Sequence, residues 1–200
     1  MIAGVVLAAG TSSRLGRPKQ LLELQGKTVL QHVVDAAGSA GLDEVLVVLG
    51  HLADEVRGSL SLPARARVVV NADYAAGQST SLRAGLAALE DSPAEAAVVL
   101  LGDQPLVREE AIRAVAQAFR ETGASVVRVR YGPRIGHPIL LARRVWRSAG
   151  GLQGDVGARG LIGELADVEP QRVQDVELAG PAPEDIDTPE QYERLRQARS

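Results

Sequence analysis

Two hundred residues suit one α/β domain, large enough to bury roughly two thirds of its unfolded surface. A net charge of −3 argues against a general nucleic-acid or anionic-membrane binder, so any anion binding has to be local. The absence of cysteine excludes disulfides, thiolate metal sites and a cysteine nucleophile, and it fits a reducing, cytoplasmic location.

Hydrophobic residues make up 46% and aromatics only 2%, so the core has to rest on Val, Leu, Ile and Ala. The apolar start over residues 2–9 lacks a basic flank and is too short for a signal peptide. No run approaches the roughly 18 apolar residues of a membrane span.

The run Val5-Val6-Leu7-Ala8-Ala9 reads as a buried strand. It ends in the small and polar residues Gly10-Thr11-Ser12-Ser13, with Arg14, Arg17 and Lys19 close behind. Small residues let a backbone approach a ligand, exposed N–H groups donate, and cations neutralise an anion, which is the chemistry of a phosphate site. Five residues separate Gly10 from Gly16 and Arg17 follows, so the spacing is not that of a P-loop, and no G-x-G-x-x-G is present there. The alternative is an ordinary strand-to-helix turn with solvated arginines. Only two of the 22 basic residues are lysines, Lys19 and Lys27, and a lysine where the chain otherwise uses arginine points to a compact point charge.

Residues 21–25 read as a short extended piece, and Thr28 can cap a helix to about residue 39 whose Val29, Val33, Ala36 and Ala37 share a face. Strands are expected at 43–49, 66–70, 96–101 and 125–129, helices at 53–59, 79–89 and 109–121, and a loop over 71–78. This alternation predicts a mostly parallel sheet covered on both faces, with ligands at the carboxyl ends of its strands. The loops beginning at Gly10, Asn71 and Gly102 all leave such ends. Beyond Tyr131 the rhythm changes: 132–136 reads as a turn, 138–141 as a strand, 143–148 as a short helix, 172–178 as a late strand and 189–199 as a polar helix. One domain over 1–200 is expected, with roughly 131–180 adding a small acceptor-side lobe at the sheet's edge.

Several residues could carry chemistry. Asp103 directly follows an apolar strand and Gly102, where an unpaired carboxylate is costly. A metal bridging it to a phosphate would satisfy it, since Mg²⁺ is usually held by one or two carboxylates plus substrate phosphates. Otherwise it caps the next helix or closes a turn with Pro105. Asp185 and Asp187 share a face of an extended piece before a helix start; one could be a second metal ligand and the other the cap. His137, between Gly136 and Pro138, could be structural or functional. Asp155 and Arg159 sit in a glycine-rich loop suited to a polar substrate, or else pair with each other at i,i+4.

The stretch Leu7-Ala8-Ala9-Gly10-Thr11-Ser12-Ser13-Arg14-Leu15-Gly16-Arg17-Pro18-Lys19 resembles the opening motif of nucleotidyltransferases with a Rossmann-like fold. Gly77-Gln78-Ser79-Thr80-Ser81-Leu82-Arg83-Ala84-Gly85-Leu86, Gly102-Asp103-Gln104-Pro105, Gly136-His137-Pro138, Gly154-Asp155-Val156-Gly157-Ala158-Arg159 and Asp185-Ile186-Asp187-Thr188-Pro189-Glu190 together resemble the molybdopterin cytidylyltransferase branch. The resemblance implies a three-layer α/β fold of the nucleotide-diphospho-sugar transferase kind. It implies CTP as co-substrate, Mg²⁺ as metal and the terminal phosphate of molybdopterin cofactor as acceptor, with a molybdenum hydroxylase receiving the product.

By the same resemblance, Gly10, Thr11, Ser12 and Ser13 would hold the β- and γ-phosphates, Arg14 would draw charge off the leaving pyrophosphate and Lys19 would meet the α-phosphate. Asp103 and Asp187 would hold the metal, and Ala8, Ala9 and Ser81 would line the base pocket. Leu7, Ser79 and Gly102 would complete the nucleotide site; His137, Asp155 and Arg159 would face the acceptor. Guanylyl-transferring siblings carry Leu-Ala-Gly-Gly and Gly-Asp-Met-Pro where this chain has Leu7-Ala8-Ala9-Gly10 and Gly102-Asp103-Gln104-Pro105, which favours CTP over GTP. The competing readings are another nucleotide such as GTP or ATP, another phosphorylated acceptor such as a sugar or polyol phosphate, and a non-catalytic carrier of the cofactor.

Overall fold

The computed structural model describes residues 1–12, 15–152, 154, 158, 162, 163, 165, 166 and 169–197. In chain order the elements are β1 (Ile2–Ala8), the two-residue strands β2 (Glu23–Leu24) and β3 (Lys27–Thr28), α1 (Val29–Ser39), β4 (Glu44–Leu49), α2 (Ala53–Gly58), β5 (Ala66–Val70), α3 (Gln78–Ala87), β6 (Ala96–Leu101), α4 (Glu109–Thr122), β7 (Val126–Tyr131), β8 (Arg134–Ala142), α5 (Trp146–Ala149), β9 (Val173–Glu177) and α6 (Pro189–Gln197). Seven strands form one sheet in the order β5-β4-β1-β6-β8-β7-β9.

Every residue of β1 is buried, as a strand with neighbours on both edges and helices on both faces requires. It runs parallel to β4 and to β6, with Val6 opposite Val47 on one side and Leu100 on the other. Alternate residues feed two cores. Val6, Val47, Leu100 and Leu140 pack with Leu30 and Val33 of α1 and Ile112 and Val115 of α4. Val5, Leu46, Val48 and Val99 pack on the opposite face with Leu82 and Leu86 of α3 and Trp146 of α5. The result is the three-layer, mostly parallel α/β architecture that the alternation predicts. α1 begins where expected, because the Thr28 hydroxyl accepts the Gln31 N–H at 3.2 Å.

Two local expectations are corrected. Residues 132–136 are not all turn: β8 begins at Arg134, since Ile135 and Gly136 pair with Arg130 and Val129 across the hairpin. Residues 19–21 form a 3₁₀ turn ahead of β2, so the piece at 21–25 is extended only in part. The second half continues the sheet: β8 is antiparallel to both β6 and β7, and β7 is parallel to β9. Arg128 and Asp175, opposite one another on β7 and β9, close an ion pair at 2.7 Å.

The C-terminal segment returns to the other end of the chain. Ile186, Tyr192 and Leu195 pack with Leu22 and Val29, and the Tyr192 hydroxyl donates to the Glu23 carbonyl at 2.5 Å. This anchoring sets the position of residues 185–187. Among the described residues, no helix is long and apolar enough to cross a membrane.

Candidate active site

The chain builds outward from β1 to β4 and β5 on one side, then crosses to β6 on the other. At such a reversal the loops leaving neighbouring strand ends part and leave a crevice. A cleft of about 410 Å³ opens there. Ala8, Ala9, Gly10 and Thr11 line it from the end of β1, Leu101, Gly102 and Asp103 from β6, and Tyr74–Gln78 with Ser81 from the turn into α3. Gly102 sits tightly against the end of β1: its N–H donates to the Leu7 carbonyl at 2.9 Å, and a Cβ on it would stand 2.8 Å from the Ala8 methyl.

The loop after β1 is held by two side chains. The Ser12 hydroxyl accepts the Lys19 backbone N–H at 2.9 Å. Gln20, almost wholly buried, donates its amide protons to the carbonyls of Ala8 and Gly10 at 2.9 and 3.0 Å. The loop's two ends are thereby stapled together, and Gly10 and Thr11 are left exposed in the cleft.

Lys19 leaves this staple and joins three parts of the chain. Its ammonium donates to Asp103 at 2.5 Å and to Asp187 at 2.8 Å. The Ile186 N–H donates to the Asp103 carbonyl at 3.1 Å, and the Gln104 amide donates to Asp185 at 2.6 Å. The two C-terminal carboxylates are therefore distinguished: Gln104 occupies Asp185, while Asp187 shares Lys19 with Asp103. Burial opposes the charge on Lys19, but the two carboxylates outweigh it and its pKa lies above the ordinary lysine value. Burial pushes the Asp103 carboxyl up; Lys19 pulls the other way, and Asp185 and Asp187 add to the rise. Asp103 Oδ1 is buried with no hydrogen-bond partner among the described residues.

Residues 4–168 match the model of the MobA-like NTP transferase domain. The chain belongs to the MobA-like NTP transferase family. It is 31% identical to nicotine blue oxidoreductase of Paenarthrobacter nicotinovorans, over 97% of this chain and 96% of that protein. It is 32% identical to the purine catabolism protein PucB of Bacillus subtilis, over 100% and 98%. The crystal structure of Rv0371c from Mycobacterium tuberculosis superposes with a TM-score of 0.83 at 35% identity, covering 98% of this chain and 97% of that one. A further crystal structure of Rv0371c is a complex with manganese.

Within this MobA-like nucleotidyltransferase, the structure brings Leu7, Ala8, Ala9, Gly10, Thr11, Lys19, Ser81, Gly102 and Asp103 to one cleft and joins Asp187 to it through Lys19. Ser12 closes the loop rather than lining that cleft. Ser79 is fully buried, and its hydroxyl has no partner among the described residues. His137 lies on β8, two residues beyond the Val99–Ile139 pairing toward the end of β6 from which Asp103 leaves. Ser13, Arg14, Asp155 and Arg159 lie outside the described residues.

Gln20, which lines the cleft, and Asn71, which bonds the cleft residue Ser81 from behind, are not marked by any motif spacing. Each is a buried amide whose partners are backbone or hydroxyl groups brought up by the fold. The one local signal for Asn71 is its place directly after an apolar strand.

Gly77 has a role that sequence shows only as part of a motif. Its φ is +108°, and a Cβ there would stand 2.5 Å from the Gly154 carbonyl carbon across the cleft. A side chain at this position meets both backbone strain and another backbone. Gly77→Ala is expected to weaken nucleotide binding at least tenfold in calorimetric titration, while leaving the two cores folded by circular dichroism.

Proposed function

We propose that this nucleotidyltransferase transfers CMP from CTP to the terminal phosphate of a molybdopterin-type cofactor and releases pyrophosphate. The observation that carries the reading is the Lys19–Asp103–Asp187 cluster at the cleft formed by Ala8, Ala9 and Gly10. One ammonium there faces two bonded carboxylates with a third nearby, and a buried oxygen of Asp103 has no hydrogen-bond partner among the described residues. Such a donor set fits a divalent cation shared with substrate phosphates. Among the described residues no three or more His, Asp, Glu or Cys are arranged to hold a metal by themselves, so phosphate oxygens would complete the ligand set. When bound, Mg²⁺ on Asp103 and Asp187 would supply Lewis-acid stabilisation of the phosphate charge.

The residues of the chain do the rest by position and charge. The exposed Gly10–Thr11 backbone receives the outer phosphates, as a turn of small residues can. Lys19, kept protonated by its carboxylates, places positive charge where the α-phosphate becomes more negative as the acceptor oxygen attacks in line. No side chain needs to form a bond to phosphorus. The Ala9 methyl narrows the base pocket, which supports a pyrimidine over a purine. The acceptor assignment is supported by the ordered set of motifs from Gly136-His137-Pro138 onward, with His137 at the cleft end of β8.

The test is pyrophosphate release from CTP, GTP, ATP and UTP, each with and without molybdopterin cofactor. Release with CTP that requires the cofactor is the expected result. Equal release from GTP overturns the base assignment; release with a sugar or polyol phosphate in place of the cofactor overturns the acceptor. Tight cofactor binding without turnover of any nucleotide would make the protein a carrier.

A further inference from the structure

Asn71 leaves the end of β5 as a buried side chain, and its amide is committed at both ends. Its Oδ1 accepts the Asp73 N–H at 3.0 Å, which fixes which way round the amide sits. Its Nδ2 therefore faces α3, where the two protons go to two hydroxyls, Thr80 at 2.8 Å and Ser81 at 3.0 Å. Thr80 disposes of its own proton on the carbonyls of Asp73 and Gly77, at 3.0 and 2.8 Å. Ser81 does not: among the described residues it donates no hydrogen bond, and the amide nitrogen that faces it is a donor with no lone pair to take its proton. Ser81 lines the cleft. Its proton is free to be given to an acceptor in that space.

We propose that Asn71 is a positioning residue that makes the Ser81 hydroxyl a fixed hydrogen-bond donor to an acceptor atom of the bound base. This rests on the reading that Ser81 faces the base. A serine hydroxyl can ordinarily donate or accept by rotating, and so discriminates poorly. One that already accepts from Asn71 still has its proton to place and is biased toward donating to the ligand, and a base without an acceptor at that point leaves a buried polar group unpaired. Cytosine carries two ring-edge acceptors, the carbonyl oxygen and the unprotonated ring nitrogen. The preference is set 10 residues ahead of the group that makes the contact, at a position that does not itself line the cleft.

The test measures binding of CTP and of tripolyphosphate, which has no base, to the parent, Ser81→Ala, Asn71→Ala, Asn71→Asp and the Asn71→Ala/Ser81→Ala double variant. Asn71→Asp keeps the acceptor for Asp73 but offers no protons, so the Ser81 proton turns to it and away from the cleft. Asn71→Ala avoids a buried charge and decides the matter if the aspartate variant does not fold. The expected result is an approximately tenfold loss of CTP affinity in each single variant, tripolyphosphate affinity within twofold of the parent, and a double variant no weaker than Ser81→Ala. Equal losses for CTP and tripolyphosphate, or losses that add in the double variant, would give Asn71 a structural role and overturn the proposal. Full CTP affinity in Ser81→Ala overturns the base-pocket reading itself. Loss in Ser81→Ala with none in the Asn71 variants leaves that reading standing and removes only the role of Asn71.

Discussion

Asp103→Asn is expected to lower metal-dependent pyrophosphate release by about three orders of magnitude while the protein stays folded and at least as stable as the parent at pH 7 without metal. The two halves of this expectation have one cause. Asp103 is largely but not fully buried, bonded by one face to Lys19, and flanked by the charges of Asp185 and Asp187, so its pKa is raised on folding. A carboxyl whose folded pKa lies above its unfolded value contributes favourably below the unfolded value, and that contribution is lost as pH rises through the folded one. At neutral pH the ionised carboxylate is therefore held at a cost, one that a metal-binding role explains and an amide relieves. Turnover assays with Mg²⁺ and calorimetric unfolding check the two halves, and free-Mn²⁺ electron paramagnetic resonance checks that metal binding is what the variant loses. A variant that unfolds would assign Asp103 to the architecture.

Lys19→Ala is expected to act in the opposite sense on stability and as strongly on turnover. Removing the ammonium leaves Asp103 and Asp187 side by side without their shared cation. Both partners are partly exposed, so the loss in stability is roughly 2 kcal/mol, below the roughly 3–5 kcal/mol of a fully buried pair. Turnover is expected to fall about a hundredfold or more through loss of charge at the α-phosphate. Lys19→Arg is expected to rescue stability but not turnover, because a planar guanidinium cannot take the place of a compact ammonium between two carboxylates and a phosphate. The vacated carboxylates also make a prediction for metal alone: Mn²⁺ should raise the melting temperature of Lys19→Ala more than that of the parent. Turnover within a few-fold of the parent would remove Lys19 from the chemistry.

These two residues also show where sequence reasoning reaches and where it stops. β6 lies over 96–101, as its apolar run predicts, because a strand buried on both faces can hold little else, and the edge strand β5 lies over 66–70 where its valine run predicts. The loop after β1, the carboxylate after β6 and the helix cap at Thr28 are equally local, set by residue type at the end of a periodic run. Alternation alone does not show that β8 lies antiparallel between β6 and β7, since an apolar strand reads the same in either direction. The choice between Asp185 and Asp187 was also open in sequence, because both sit on one face of an extended piece.

The α/β alternation, the small-residue loop at Gly10–Thr11, and the presence of Lys19 and Asp103 at element ends are legible in the residues alone. Those features follow from side-chain volume, periodicity and backbone freedom within a few residues. The fold alone brings Lys19 to Asp103, 84 residues away, and to Asp187, 168 residues away, gives Asp185 to Gln104, and bonds buried Gln20 to the Ala8 carbonyl and buried Asn71 to the Ser81 hydroxyl. The physical reason is that a polar side chain's partner is whatever the packing of Ile186, Tyr192 and the sheet brings within about 3 Å, and no local pattern encodes that distance.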